Sequence, residues 1–319
     1  MSRASALALA AALALGCAGA GAAGSFSFGV IGHSFQNGAD EALLQRAIAE
    51  TDQANLAFVV ASGIKAGMES CSDKLYARRK SVLDESRRPL VVSLAASDWS
   101  ECKNSLGRSV AIERLGRLRE VFFGDAASLG ERRIELSRLS ANPTFRSYAE
   151  NAHWESGHIL FATINLPANN NHFRPEAGRN SEFEDRLVAN RAWLKRLFGL
   201  AQRRKLDGLV LFSDGDAGVL KEATGAAPKN DGFAEVRRQI RTLAQKFPGQ
   251  VLLVDTQYGP ANGPASGTAS GPANGPAKPA ITWRANLGHV SVTSNWVEIG
   301  VDARMAPLFT LRADAGAAQ

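Results

Sequence analysis

The sequence predicts an α/β fold, and three observations lead there. Short apolar runs alternate with longer amphipathic stretches, several of the runs are rich in Val, Ile, Leu and Phe throughout, and the intervening stripes repeat at three and four residues. Uninterrupted apolar runs of strand length suit strands covered on both faces. Stripes spaced by three and four suit helices lying against a sheet. Alternation of the two predicts a layered α/β chain with a largely parallel sheet.

The strand-like runs are Phe26–Gly32, Leu56–Ala61, Leu90–Leu94, His158–Asn165, Leu209–Phe212 and Val251–Val254. Helical stripes comprise Leu43, Leu44, Ala47 and Ile48; then Val110, Leu115, Leu118 and Phe122. A longer one includes Phe183, Leu187, Leu194, Leu197 and Phe198, and a fourth runs Phe233, Val236, Ile240, Leu243 and Phe247. These side chains read as core. Near the end, Ile281–Arg284, Trp296–Asp302 and Leu308–Arg312 read as strands, the last two alternating as half-buried antiparallel strands do.

Between them, residues 259–280 are built from Gly, Pro, Ala, Asn, Ser, Thr and one Lys. With no large apolar side chain, the segment has nothing to offset the entropy of ordering, which predicts a disordered loop. Strands flank it on both sides, so it reads as an insertion in a single domain covering 24–319.

Residues 1–23 read as a secretory signal peptide: Arg3, an apolar run from Ala6 to Leu15, then small residues suited to cleavage. Leu15-Gly16-Cys17 also resembles a bacterial lipoprotein site, although the residue three before Cys17 is Ala14 rather than leucine. Ordinary cleavage and lipidation at Cys17 both stay open, giving a periplasmic or secreted protein or a lipoprotein. No later run approaches the ~18 apolar residues of a membrane span. Export leaves Cys71 and Cys102, which an oxidising compartment favours pairing, at roughly 3–4 kcal/mol for a loop of that size; two buried thiols are the other reading.

The hydrophobic fraction of 45% and charged fraction of 21% suit a globular chain. The formal net charge of +6 comes from scattered clusters such as Arg78-Arg79-Lys80, Arg203-Arg204-Lys205 and Arg237-Arg238. These read as solvated helix faces, and without a basic patch interleaved with aromatics the sequence excludes nucleic acid as a partner.

In order along the chain, Phe28-Gly29-Val30-Ile31-Gly32, Leu56–Val60 with Ile64-Lys65-Ala66-Gly67 and Cys71, Ser97–Cys102, Asn151 with Trp154, Phe161-Ala162-Thr163, Asn169-Asn170-Asn171, Arg191 with Trp193-Leu194, and Trp296–Asp302 resemble an exported bacterial branch of the calcineurin-like metallophosphoesterases. The resemblance covers nearly all of the mature chain except the insertion. It implies a two-sheet sandwich flanked by helices and, in active members, two cations clamped by Asp, His and Asn ligands that ionise a bound water.

Position by position, this chain departs from that ligand set. The resemblance puts the Asp-x-His element on His33-Ser34-Phe35 and the bridging aspartate on Gly63. It puts the asparagine element on Ser97 beside Asp98, a strand histidine on Asn165, and the late histidine-rich element on Asp255-Thr256-Gln257-Tyr258. Glycine offers no ligand atom. The first expectation is therefore a catalytically degenerate member, a binding or scaffold module with no cofactor and an unidentified protein or small-molecule ligand. The alternative is a residual phosphoester hydrolase holding one Mn, Fe or Zn ion on some of His33, Asp98, Asn165 and Asp255. A third reading is a surface lipoprotein whose insertion binds a partner. Asp214-Gly215-Asp216 reads as a solvated turn, and His153, His158, His172 and His289 as scattered surface or hydrogen-bonded residues.

Overall fold

The computed structural model describes residues 24–32, 34–35, 38–176, 178, 180–222, 230–256 and 280–312. Residues 1–23, Cys17 among them, together with His33, Gln257 and all but the last of residues 259–280, lie outside the described residues.

Two sheets form. The first orders its strands β12-β11-β1-β2-β3 and consists of β1 (Phe26–Ile31), β2 (Val59–Ser62), β3 (Leu90–Ser93), β11 (Trp296–Val301) and β12 (Phe309–Arg312). The second orders them β4-β5-β6-β7-β8-β10-β9, from β4 (Ser137–Arg138), β5 (Ala152–Ser156), β6 (Ile159–Thr163), β7 (Gly208–Phe212), β8 (Gln250–Asp255), β9 (Thr282–Arg284) and β10 (Leu287–Ser291). Their inner faces share one core. Phe28 stacks on Phe58 in the first sheet at 5.3 Å between centroids, and Phe58 meets Phe161 and Trp154 of the second edge-on at 4.8 and 5.2 Å. Edge-on contacts between aromatic rings are favourable beyond the area they bury. This is a mixed α/β two-sheet sandwich.

Helices cover the outer faces. Leu44, Ala47 and Ile48 of α1 (Glu41–Gln53), Tyr76, Val82 and Leu83 of α2 (Asp73–Asp84), and Leu115, Leu118 and Phe122 of α4 (Ala111–Phe122) share a core with Ile31, Val59, Ala61, Leu90 and Val92. Trp99 of the short α3 (Ala96–Trp99) joins them. On the other side, α5 (Ser181–Arg203) and α6 (Ala234–Lys246) cover Leu160, Ala162, Leu209, Leu211, Val251 and Leu253. The chain enters α1 through Asp40, whose carboxylate accepts the N–H groups of Ala42 and Leu43, and α2 through Ser72, which accepts from Leu75. Such caps satisfy donors that have no partner within the helix.

The expectation of a largely parallel sheet needs correction. Parallel pairing is confined to β1-β2-β3 and to β6-β7-β8-β10, while β11, β12, β4, β5 and β9 add antiparallel neighbours. Alternation of strands and helices reports crossovers but is blind to strands that return from the far end of the chain. The run from Leu56 begins too early, since Leu56–Phe58 form an entry loop that plugs the core before β2 starts. Strands β4, β5 and β10 and helices α2 and α3 were not among the elements expected. In α2 the buried face contains Arg79, which breaks the apolar stripe.

The reading of His153 as a surface or hydrogen-bonded residue is overturned. It is buried on β5, its ring 5.5 Å from that of Trp193, and neither ring nitrogen has a hydrogen-bond partner among the described residues. Burial, aided by the charge of Arg196, pushes its pKa down to about 4. The unfolded chain takes up a proton near the ordinary value of about 6.5, so the titration of this histidine costs no stability above that pH and increasingly more as pH falls towards 4. Replacement His153→Phe is expected to widen the stability gap over wild type by about 2 kcal/mol between about pH 8 and pH 4.5. Urea unfolding at the two pH values checks this; a gap independent of pH contradicts it.

Candidate functional site

In open α/β sheets, ligands bind beyond the carboxyl ends of the parallel strands. Here that end is formed by the residues following β2, β3, β6, β7 and β8. Gly63 follows β2 with φ of 72°, a backbone region that glycine enters without strain, and its N–H donates to Ser93 O at 2.9 Å. A side chain at this position would have to adopt a disfavoured backbone, so no ligand atom is supplied and the local geometry suits glycine.

Asp98 lies in α3 and is fully buried. Its Oδ1 accepts the N–H groups of Ile64 (2.9 Å) and Lys65 (3.2 Å), and its Oδ2 accepts that of Ala95 (2.7 Å). The carboxylate thereby fastens the turn after β2 to the start of α3. Beside it is Lys65, also buried, whose ammonium donates to Ala66 O at 2.6 Å and Ser97 O at 2.8 Å. Burial lowers the Lys65 pKa, opposed by the charge of Asp98. Ser97 returns its hydroxyl to Lys65 O at 2.9 Å. Ser97 and Asp98, with the turn that follows Gly63, thus form one internally bonded cage with a resident ammonium.

Phe35 is in the core rather than in a cleft. It packs beneath Arg79, whose guanidinium carbon is 4.3 Å from the ring centre. Arg79 is tied in turn to Ile64 O and to the carboxylates of Glu69 and Glu41.

Asn165 follows β6 and enters a separate buried network. Its N–H donates to Asn151 Oδ1 at 2.9 Å and its Nδ2 to Glu150 Oε1 at 3.0 Å, while its carbonyl accepts from Asn190 and Arg186. Arg119 closes on Glu150 with two hydrogen bonds. Arg186 reaches Asn171 and Glu182, and His172 meets Glu182 at 2.8 Å. Burial alone would raise the Glu182 carboxyl; the hydrogen bonds from His172 and Arg186 outweigh it and hold it at about 2. This network braces the Asn169–His172 turn against α5.

The turn 214–216 is not solvated, contrary to expectation. Asp214 is buried, and its Oδ2 accepts from Ala96 N at 2.7 Å and Ala168 N at 2.8 Å, joining α3 to the turn after β6. Ser62 and Thr256 share a hydrogen bond of 2.8 Å that links β2 to the end of β8 across the two sheets.

Asp255 ends β8, and His289 on β10 approaches it, with Nε2 at 2.5 Å from Asp255 Oδ2 and 3.5 Å from Asp216 Oδ1. Burial pushes the Asp255 carboxyl up. Burial alone would depress His289, but the two facing carboxylates raise it. On the rim, Lys221 reaches Asp216 at 3.1 Å. Among the described residues, Asp216, Asp255 and His289 are the one group of three carboxylate or imidazole ligands with atoms within 4.8 Å of one another. From the sequence, two of the three, Asp216 and His289, read only as part of a solvated turn and as a scattered histidine. His289 becomes visible only when β10 is known to lie parallel to β8 in the register His289↔Leu253.

Of the other positions named from the sequence, His33 and Gln257 lie outside the described residues. Cys71 and Cys102 form a disulfide with Cα atoms 5.9 Å apart, which fits an extracellular location. No helix among the described residues is long and apolar enough to cross a membrane.

Comparison of the chain with protein-family models and with curated proteins finds no match to either.

The described residues do not fit a dinuclear centre. The position to which the sequence resemblance assigns a bridging carboxylate is Gly63, the Asp98 carboxylate is engaged by three backbone N–H donors, and the Lys65 ammonium is buried beside it. Asp216, Asp255 and His289 offer donors of the type that suits a single divalent ion.

Proposed function

We propose that this chain is an exported metallophosphoesterase-like protein that has lost hydrolysis and serves as a binding or scaffold module. The observation that supports this best is the cage around Asp98: the carboxylate is committed to the N–H groups of Ile64, Lys65 and Ala95, with the Lys65 ammonium buried alongside. A second cation brought there would meet a resident positive charge in a poorly solvated environment, which is unfavourable. The two-sheet sandwich and the order of motifs support the family reading, and the disulfide supports export to the periplasm or beyond.

The test uses the mature chain, 24–319, purified with and without added Mn, Zn or Fe, assayed for metal content and for cleavage of p-nitrophenyl phosphate and its diester. The expected outcome is no turnover above buffer and no pair of metals per chain. Two transition metals per chain with turnover would end this reading.

A single-metal hydrolase is the second reading, favoured specifically by the convergence of Asp216, Asp255 and His289. It requires one metal per chain and metal-dependent turnover, both lost in His289→Ala and Asp216→Ala.

A further inference from the structure

Beside the cage, an open cavity of about 860 Å³ lies over the disulfide. Its wall is a hairpin in which Lys103 bridges to Ser109, turned by Asn104, whose side chain accepts the N–H groups of Leu106 and Arg108. The disulfide at Cys102 fastens one end of that hairpin to the loop before α2. Its floor is held by Ser100, which donates to Ala96 O at 2.8 Å and accepts from Asn169 Nδ2 at 2.9 Å. The cavity is therefore supported by covalent and hydrogen-bonded structure on two sides.

Three cations line it: Lys103, Arg108 and Arg174. Among the described residues neither Lys103 nor Arg108 has a carboxylate partner, and the one hydrogen bond of the Arg174 guanidinium is to His172 Nε2, at 3.4 Å. Elsewhere many basic side chains close onto acids, as Arg78 does on Glu41, Arg119 on Glu150, Arg204 on Glu155 and Arg237 on Asp231. Glu101 is the single acid in the lining, and its Oε2 is directed at the turn around Gly67, where its charge acts on Lys65. Asn169 Oδ1, also in the lining residues, is a buried acceptor with no partner among the described residues, which an O–H of a ligand or of a protonated phosphate would satisfy. Cations lining a concave site raise the local concentration of anions, and planar guanidinium groups recognise phosphate oxygens in pairs. Cavities of several hundred Å³ suit small organic ligands.

We infer that this cavity binds a small phosphate-bearing polyanion through Lys103, Arg108 and Arg174. The inference gives a ligand class to the binding module proposed above, and rests on that reading for its biological sense but not for its geometry.

Inorganic pyrophosphate is the probe, titrated calorimetrically into the mature protein at low ionic strength. Binding is expected with Kd below about 1 mM and weakening as salt is added. The combined substitution Lys103→Ala, Arg108→Ala, Arg174→Ala is expected to weaken it by about tenfold or more. A charge-matched control, Arg203→Ala, Arg238→Ala, Lys246→Ala, alters exposed helix residues away from the cavity and is expected to bind within about twofold of wild type. Thermal melts of both variants verify folding. Absence of binding to wild type, equal loss in the control, or citrate binding more tightly than pyrophosphate each overturns the inference. Phosphate release is followed in the same samples. Metal-dependent hydrolysis would remove the non-catalytic reading while leaving the cavity assignment standing, whereas lack of binding without hydrolysis removes the cavity alone.

Discussion

Replacing Asp98 with alanine is expected to lower the unfolding free energy by about 3–5 kcal/mol. The carboxylate is completely buried, and removing it orphans the N–H groups of Ile64, Lys65 and Ala95 at once. An unsatisfied buried donor costs about 1–3 kcal/mol, and the Lys65 ammonium would also lose its nearest counter-charge. Asp98→Asn is expected to lose less, because one oxygen still accepts while the amide nitrogen opposes a donor. Urea unfolding in the presence of a chelator provides the readout. A metal ligand would show its effect only with metal present, whereas the cage predicts the full loss without it. A change of less than about 1 kcal/mol in chelator would show that the cage is not structural.

The second large effect concerns the disulfide. Cys71 and Cys102 are 31 positions apart, and closing a loop of that length restricts the unfolded chain by about 4 kcal/mol. Reduction, or the double substitution Cys71→Ser and Cys102→Ser, is therefore expected to cost about that much in equilibrium unfolding. Adding reductant to the double variant should do nothing further. Wild-type stability unchanged by complete reduction, verified by thiol titration, would contradict the prediction. Because the cross-link joins the loop before α2 to the hairpin at 103–109, proteolysis after reduction is expected to begin in that hairpin.

Much of the layering was legible from residue patterns. The stripes at Leu44–Ile48, Leu115–Phe122 and Leu194–Phe198 became helices on the two outer faces, and the runs at Phe26, Leu90, Leu209 and Val251 became β1, β3, β7 and β8. Those signals are local, because a side chain's face is set by spacing within its own element. Departures occurred where polar residues sit in the core. Arg79 hides α2, and the buried His153 interrupts the apolar pattern of β5, so neither gave the periodic signature by which an element is recognised.

The site was less legible. The residue types at positions 63, 97, 98 and 255 can be read along the chain, and the lack of a ligand atom at Gly63 is legible from the sequence alone. Their partners cannot be read so. Asp98 is fastened to residues 33 and 34 positions away, Asp214 to one 118 positions away, and Ser62 to Thr256 across 194.

What the sequence determined by itself was the alternation of elements, the apolar faces that must be buried, and the absence of a ligand side chain at Gly63. Tertiary structure alone decided that β1 pairs with β11, that β10 carries His289 to Asp255, and that Asp98 and Lys65 satisfy one another's surroundings instead of facing solvent. The physical reason is that hydrophobic periodicity acts over one or two turns of chain. Hydrogen bonding and charge pairing in the interior depend on strand register, which is set by the packing of segments far apart in sequence.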